Sequence, residues 1–166
     1  KEDPLNEKVY KILAGIQIVL LFVIMASAAQ RLFLLTGNLG YGLTTVRFYP
    51  MVVMIWFAIV FVWFGATVLR GARQYFAWGA LWSALFVVIG VHILNPDDFI
   101  VRTNIALMKQ GREFDAQYNA QLSSDAIPAL LDSFDSMDEE DKCWIDYELK
   151  QRKENEGFAN DLRSFN

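Results

Sequence analysis

From Ile12 to Leu94 the chain contains no Asp and no Glu. An acid at the centre of a membrane-crossing helix costs roughly 2.5–3.5 kcal/mol on insertion scales, so this absence is what a bilayer demands. The charge is divided accordingly. Residues 1–94 hold seven Lys/Arg against three Asp/Glu, whereas residues 95–166 hold eight against sixteen. A chain that is 54% hydrophobic and only 20% charged, with its acids gathered at one end, reads as an all-α membrane protein. Three transmembrane helices in residues 1–94 are followed by a small, acidic, soluble helical tail, residues 95–166.

The spans are predicted at about 12–30, 51–69 and 76–94. Nineteen residues at 1.5 Å rise cover nearly the roughly 30 Å of bilayer hydrocarbon. Lys8, Lys11 and Arg31 bracket the first span, and Leu32 to Leu35 extend it toward the interface. Residues 36–50 read as a loop, turn-rich through Gly37, Gly40 and Gly42, with Tyr41, Arg47 and Tyr49 as interface residues. Pro50 is placed at the start of span two, where its missing N–H does no harm. Arg70 and Arg73 lie in a link so short that spans two and three must form an antiparallel hairpin. Trp78 suits the interfacial belt, and Gly79 with Ser83 and Ala80 with Ala84 set small residues at four-residue spacing, which lets helices approach closely in lipid.

In the tail, Asn95 reads as an N-cap, Pro96 as a first helical residue, and Asp97 and Asp98 as partners of the helix dipole, with a stop at Gly111. A short element around 114–122 follows. Asp125 is expected to cap the next helix, with Ile127, Leu130, Leu131, Phe134 and Met137 on one face. Ser136 and Glu139 have capping-box spacing for the last helix, which carries Asp146–Lys150 and Glu148–Arg152 pairs.

With three spans, the N-terminus and the 70–75 link share one side of the membrane. Lysines and arginines in short segments favour a cytoplasmic N-terminus and an extracytoplasmic tail. The chain opens on Lys1 rather than Met, which suggests a piece of a longer protein or one with an N-terminal part removed. The first apolar run is too long for a signal-peptide core.

Three stretches stand out together: Tyr41-Gly42-Leu43-Thr44 with Arg47-Phe48-Tyr49; His92-Ile93-Leu94-Asn95-Pro96-Asp97 leading to Arg102 and Asn104; and Phe114-Asp115 through Tyr118 to Leu122–Leu130. In this order they resemble the C-terminal part of a family of bacterial multi-spanning membrane proteins known only as a domain of unknown function, over roughly residues 12–166. The resemblance implies a bacterial plasma (inner) membrane and further spans upstream. It implies no activity, substrate or cofactor.

Few residues carry candidate chemistry. His92, the only histidine, sits near the end of span three, where one axial ligand would suffice for a pigment; a bis-histidine haem lacks its second ligand. Its other reading is a helix-end residue hydrogen bonded to a loop. Arg47, Asn95, Arg102 and Asn104, with His92, are candidates to meet an anionic lipid headgroup or a phosphate on one membrane face. The alternative has the arginines anchoring at headgroups and Asn95 capping a helix. The acidic run 138–141 lacks the glycine-interrupted ligand pattern of an EF-hand, and one cysteine, Cys143, excludes a cysteine-based metal cage and an internal disulfide. No metal site or catalytic constellation is identified, and the cofactor question stays open. The basic residues flank apolar runs, so the partners expected are lipids and other membrane proteins, not nucleic acid.

Three functions remain open at this stage. One is a non-catalytic structural or interaction module, an accessory subunit or the end of a larger membrane protein. Another is a membrane enzyme or transporter with its site partly upstream. The third is a haem- or pigment-associated subunit using His92.

Overall fold

The computed structural model describes residues 4–38 and 42–164, and side chains of the last helix through residue 154. Lys1, Gly40 and Tyr41 lie outside the described residues. Every regular element among those described is helical, and three helices are long and apolar enough to cross a membrane: Leu5–Thr36, Thr45–Thr67 and Arg73–Leu94. The backbone divides into two compact units, Lys1–Asn38 with Val46–Leu94 and Leu39–Thr45 with Asn95–Asn166.

In the first unit, α1 (Pro4–Phe33) begins on a proline, which suits the first helical turn, and its last turn relaxes into a π-helix, Leu34–Asn38. There Thr36 Oγ1 donates to the Leu32 carbonyl. Helix therefore occupies residues 36–38, which were expected to be loop. Helix α2 (Thr45–Thr67) also begins earlier than expected, so Pro50 sits inside it and not at its start. The helix accepts one missing i→i−4 bond there, a single backbone donor lost within an otherwise continuous apolar run.

Helix α2 ends at a Schellman-type turn. Gly71 has φ +90°, and Ala72 N donates to the Thr67 carbonyl at 2.8 Å. A 3-10 turn, Arg73–Tyr75, then leads into α3 (Phe76–Leu94), whose bounds match the sequence reading. The α2–α3 pair is antiparallel. Phe64 meets Phe76 edge-on at 5.4 Å, and one turn deeper the Trp63 ring lies against Gly79. Deeper still, Trp56 Nε1 donates to Ser83 Oγ at 3.2 Å. The small residues Gly79 and Ser83 thus make room for tryptophans of α2. Helix α1 joins through Phe22 on Phe61 and through Arg73, whose guanidinium lies 5.5 Å from the centre of the Tyr10 ring.

The second unit is built on α4 (Pro96–Met108), α5 (Ala116–Ala120), α6 (Ile127–Ser133) and α7 (Glu139–Ser164). Helix α4 packs on α6 and α5 on α7. Ile100, Val101, Leu130 and Ile145 form the fully buried centre. Helix α4 ends at Met108, and the turn that follows closes at Gly111, which has φ +81° and lets Arg112 N reach the Leu107 carbonyl.

Three local expectations are corrected. Asp125 lies within a 3-10 turn, Ser124–Ala126, and does not cap α6; the residue before α6 is Ala126. Of the face expected on α6, Leu130 and Met137 are buried and Ile127 and Phe134 half-buried, but Leu131 is turned outward and Ala129 takes a buried place instead. Ser136 does not form a capping box, since α7 starts only at Glu139 and the Ser136 hydroxyl donates back to the Ser133 carbonyl. The Asp146–Lys150 pair is formed, and Glu148–Arg152 is loosely formed at 3.9 Å.

Candidate functional site

Helix α4 turns Ile100, Val101, Asn104 and Ile105 to one side, as a 3.6-residue period requires. Asn104 is thus a polar residue on an apolar face, 6% exposed. Its Oδ1 accepts from Leu43 N at 2.6 Å, and its Nδ2 donates to the Leu43 carbonyl and to Asn119 Oδ1, each at 2.9 Å. The side-chain amide therefore pairs with the backbone of Leu43 much as a neighbouring peptide would. Asn119, 1% exposed, donates in turn to the Asp115 carbonyl at 2.7 Å. Among the described residues, no buried side-chain polar atom lacks a partner. A satisfied network of this kind fixes one arrangement, because each group left unpaired would cost about 1–3 kcal/mol.

The loop residues are held to fit. Gly42 has φ +67°, and a Cβ there would lie 2.9 Å from Asn104 Oδ1, so a side chain is excluded both by conformation and by space. The Tyr118 hydroxyl accepts from Thr45 N at 2.7 Å and donates to Thr45 Oγ1 at 3.3 Å, which satisfies one of the orphan donors at the start of α2. Asp115 caps α5 by accepting from Tyr118 N at 2.8 Å.

These residues enclose a cleft of about 320 Å³. Leu43, Thr44, Asn104, Asn119, Phe114 and Tyr118 line it. Glu113 and Asp115 also line it, and no Lys, Arg or His is among its described lining. The local field is negative. Asp141 on α7 has its pKa raised, first by burial and then by the charges of Asp138, Glu140 and Asp115.

The residues proposed from sequence fall elsewhere or serve differently. Arg47 and His92 belong to the first unit, and Asn95, Arg102 and Asn104 to the second. His92 Nδ1 lies 2.9 Å from the Val88 carbonyl one turn back in its own helix, so its partner is not a loop, and the ring edge is exposed. Asn95 stands at the N-cap position but in left-handed conformation, φ 51°, and its side chain caps nothing; the Phe99 N–H is taken by its main-chain carbonyl. Arg102 is exposed and pairs with Asp98 at 2.8 Å, which raises its pKa, and more distantly with Asp132. Arg102 and Asn104 lie two positions apart on α4, one side chain in solvent and the other inside.

Gly42, Leu43, Asn119 and Tyr118 were not singled out as a site by sequence reasoning. Yet Gly42-Leu43-Thr44, Asn104, and Phe114-Asp115 with Tyr118 come from the three stretches that carry the family resemblance. The structure gathers all three around one cleft.

A helical protein with three helices long and apolar enough to cross a membrane, continuing into further helices, is the class that this fold defines. Within that class, the chain belongs to the family described as a domain of unknown function (DUF4153), which it matches over residues 1–133. The match begins earlier than the resemblance read from the sequence and ends before α7. No curated protein and no solved structure matches the chain. Among the described residues there is no group of three or more metal-ligating side chains.

Proposed function

We propose that this chain is a non-catalytic module of a bacterial plasma membrane, either an accessory subunit of a membrane complex or the C-terminal part of a larger multi-spanning protein. The observation that carries the reading is the outward-facing apolar surface of the three long helices. The most apolar windows of α1 and α3 contain no buried residue. Side chains such as Phe33, Trp78 and Ile93 are left to lipid or to other membrane helices. Residues 95–166 are read as its water-facing acidic part, with lipids and other membrane proteins as partners. Purification in mild detergent is expected to bring down further membrane proteins. A monodisperse, partner-free species would count against the module.

The orientation follows from the short-segment charges, with the N-terminus cytoplasmic and residues 95–166 outside. Cys143, the only cysteine, is exposed on α7 and reports it directly. A membrane-impermeant maleimide should label it in intact cells; labelling only after lysis would reverse the orientation.

A second reading is favoured by one observation at His92. If Nδ1 donates to the Val88 carbonyl, Nε2 is left as a free acceptor on an exposed ring, the arrangement an axial ligand of haem or pigment requires. The absorbance spectrum of the purified protein decides it, since a ligated cofactor gives a visible band that His92→Ala removes.

A further inference from the structure

We propose that the cleft between the 42–45 loop, α4 and α5 binds a small protonated primary amine, with Glu113 as the counter-ion. The argument begins with size. A space of about 320 Å³ lies at the lower end of ligand pockets, which run from roughly 300 to 1,000 Å³. It holds on the order of ten non-hydrogen atoms, if each takes about the 30 Å³ of a liquid water. The cleft is also preformed. It is lined by the Asn104–Asn119 pair, whose hydrogen bonds are all internal, so a ligand need not order it.

Charge decides the class. Glu113 and Asp115 line the cleft, and no described lining residue carries a positive charge. The Glu113 carboxylate has no hydrogen-bond or ion-pair partner among the described residues. One Asp115 oxygen is occupied by the α5 cap. Several donors around the cleft are already used. Asn104 Nδ2 serves two acceptors, Leu43 N is taken by Asn104 Oδ1, and Thr45 N is taken by Tyr118. An anion would meet carboxylates and no cation among the described lining residues. An ammonium would meet a free carboxylate beside the aromatic residues Phe114 and Tyr118, a setting favourable to a cation. Two rings do not make the aromatic cage that a quaternary ammonium prefers, and free carboxylate oxygens call for N–H donors. The ligand chemistry is therefore a primary ammonium, as found in a free alkylamine and in an ethanolamine lipid headgroup.

The test uses the full chain. In detergent micelles, ligand-observed NMR titration with ethanolamine is compared with ethylene glycol, which replaces the ammonium by a hydroxyl. Saturable ethanolamine binding at least tenfold tighter than glycol is expected. Glu113→Gln, at an exposed position, should keep the fold and weaken ethanolamine binding about tenfold, and Phe114→Leu a few-fold. Nanodiscs then separate the sources. If ethanolamine binds equally in phosphatidylcholine and phosphatidylethanolamine discs, the ligand is a free amine. If phosphatidylethanolamine abolishes the titration, it is the lipid headgroup. Absence of saturable binding in micelles and in phosphatidylcholine discs overturns the proposal. So does glycol binding as tightly as ethanolamine, or an unaltered affinity in a folded Glu113→Gln variant. None of these outcomes depends on whether the chain co-purifies with membrane partners.

Discussion

The two units of this protein solve the same problem in opposite ways. The second unit, residues 39–45 with 95–166, folds as a water-soluble domain does. Ile100, Val101, Leu130 and Ile145 are withdrawn from solvent almost completely, and polar groups inside are paired. The first unit has almost no interior. Its three long helices touch through a few aromatic rings, a glycine and two tryptophan N–H groups, while Ile93 is 81% exposed. In water that surface would be ruinous; in hydrocarbon it costs nothing, since lipid tails are as apolar as leucine. Burial therefore measures stability in one unit, whereas in the other close packing and satisfied polar groups do.

Two isoleucines put that contrast to its hardest test. Ile145→Ala, at a fully buried position, should destabilise the second unit by about 2–5 kcal/mol, through lost transfer energy and the cavity left behind. Ile93→Ala, at the exposed end of α3, should change stability by less than about 0.5 kcal/mol. Denaturant titration of the detergent-solubilised protein, followed by far-UV circular dichroism, measures both. Equal effects would mean that the outward face of α3 is buried against something in the micelle.

Asn104→Ala comes next. It strands the Leu43 N–H and carbonyl and the Asn119 side-chain oxygen, so a loss of about 2–4 kcal/mol is expected, less than three full penalties because the loop can turn toward water. The same titration reads it, and membrane insertion of the spans should not change. A peptide of residues 95–166 alone lacks Leu43 and should show a comparable deficit.

Glycines sharpen the comparison inside the first unit. At Gly79 a Cβ would fall 2.0 Å from Trp63 Nε1, whereas at Gly90 nothing lies within 4 Å. Gly79→Ala should expel the Trp63 ring from the α2–α3 seam, breaking its 3.3 Å bond to the Tyr75 carbonyl, at about 1–3 kcal/mol. Gly90→Ala should be neutral or slightly stabilising. Unfolding in mixed micelles with rising SDS distinguishes them; similar midpoints would show that the seam does not hold the hairpin.

The spans were legible because an unbroken apolar run has few alternatives, and α3 was read to the residue. Ends set by distant partners were not. Thr45 begins α2 with its N–H held by Tyr118, a hydroxyl 73 positions away, and no local rule announces that. Ser136 and Glu139 had the right spacing for a capping box, but the 3-10 turn at Phe134–Ser136 turned the hydroxyl back to Ser133. Asn104 is placed inside the second unit. The signal lay in its neighbours: with Ile100, Val101 and Ile105 it completes one apolar helical face, where an amide must find internal partners. Which partners it finds, Leu43 and Asn119, is a tertiary fact.

The smallest expected effect lies at Asp141, on which the cleft residue Asp115 acts through its charge. Asp141 is held above the usual carboxylate range by partial burial and by Asp138, Glu140 and Asp115, so the folded unit binds its proton more tightly than the unfolded chain does. A group of this kind lowers stability when ionised. Its penalty is fully present above the raised native value, shrinks as pH falls through that value, and is gone below the unfolded value of 3.8. Asp141→Asn should therefore stabilise the second unit at neutral pH, by no more than about 0.5 kcal/mol as is usual near a surface, and should make no difference at pH 3. Melting curves of the two proteins at both pH values check the direction. A loss of stability at neutral pH would mean that the carboxylate's attraction to the α7 N-terminus outweighs its neighbours' repulsion. The negative field at Asp141 would then be weaker than the cluster of charges implies.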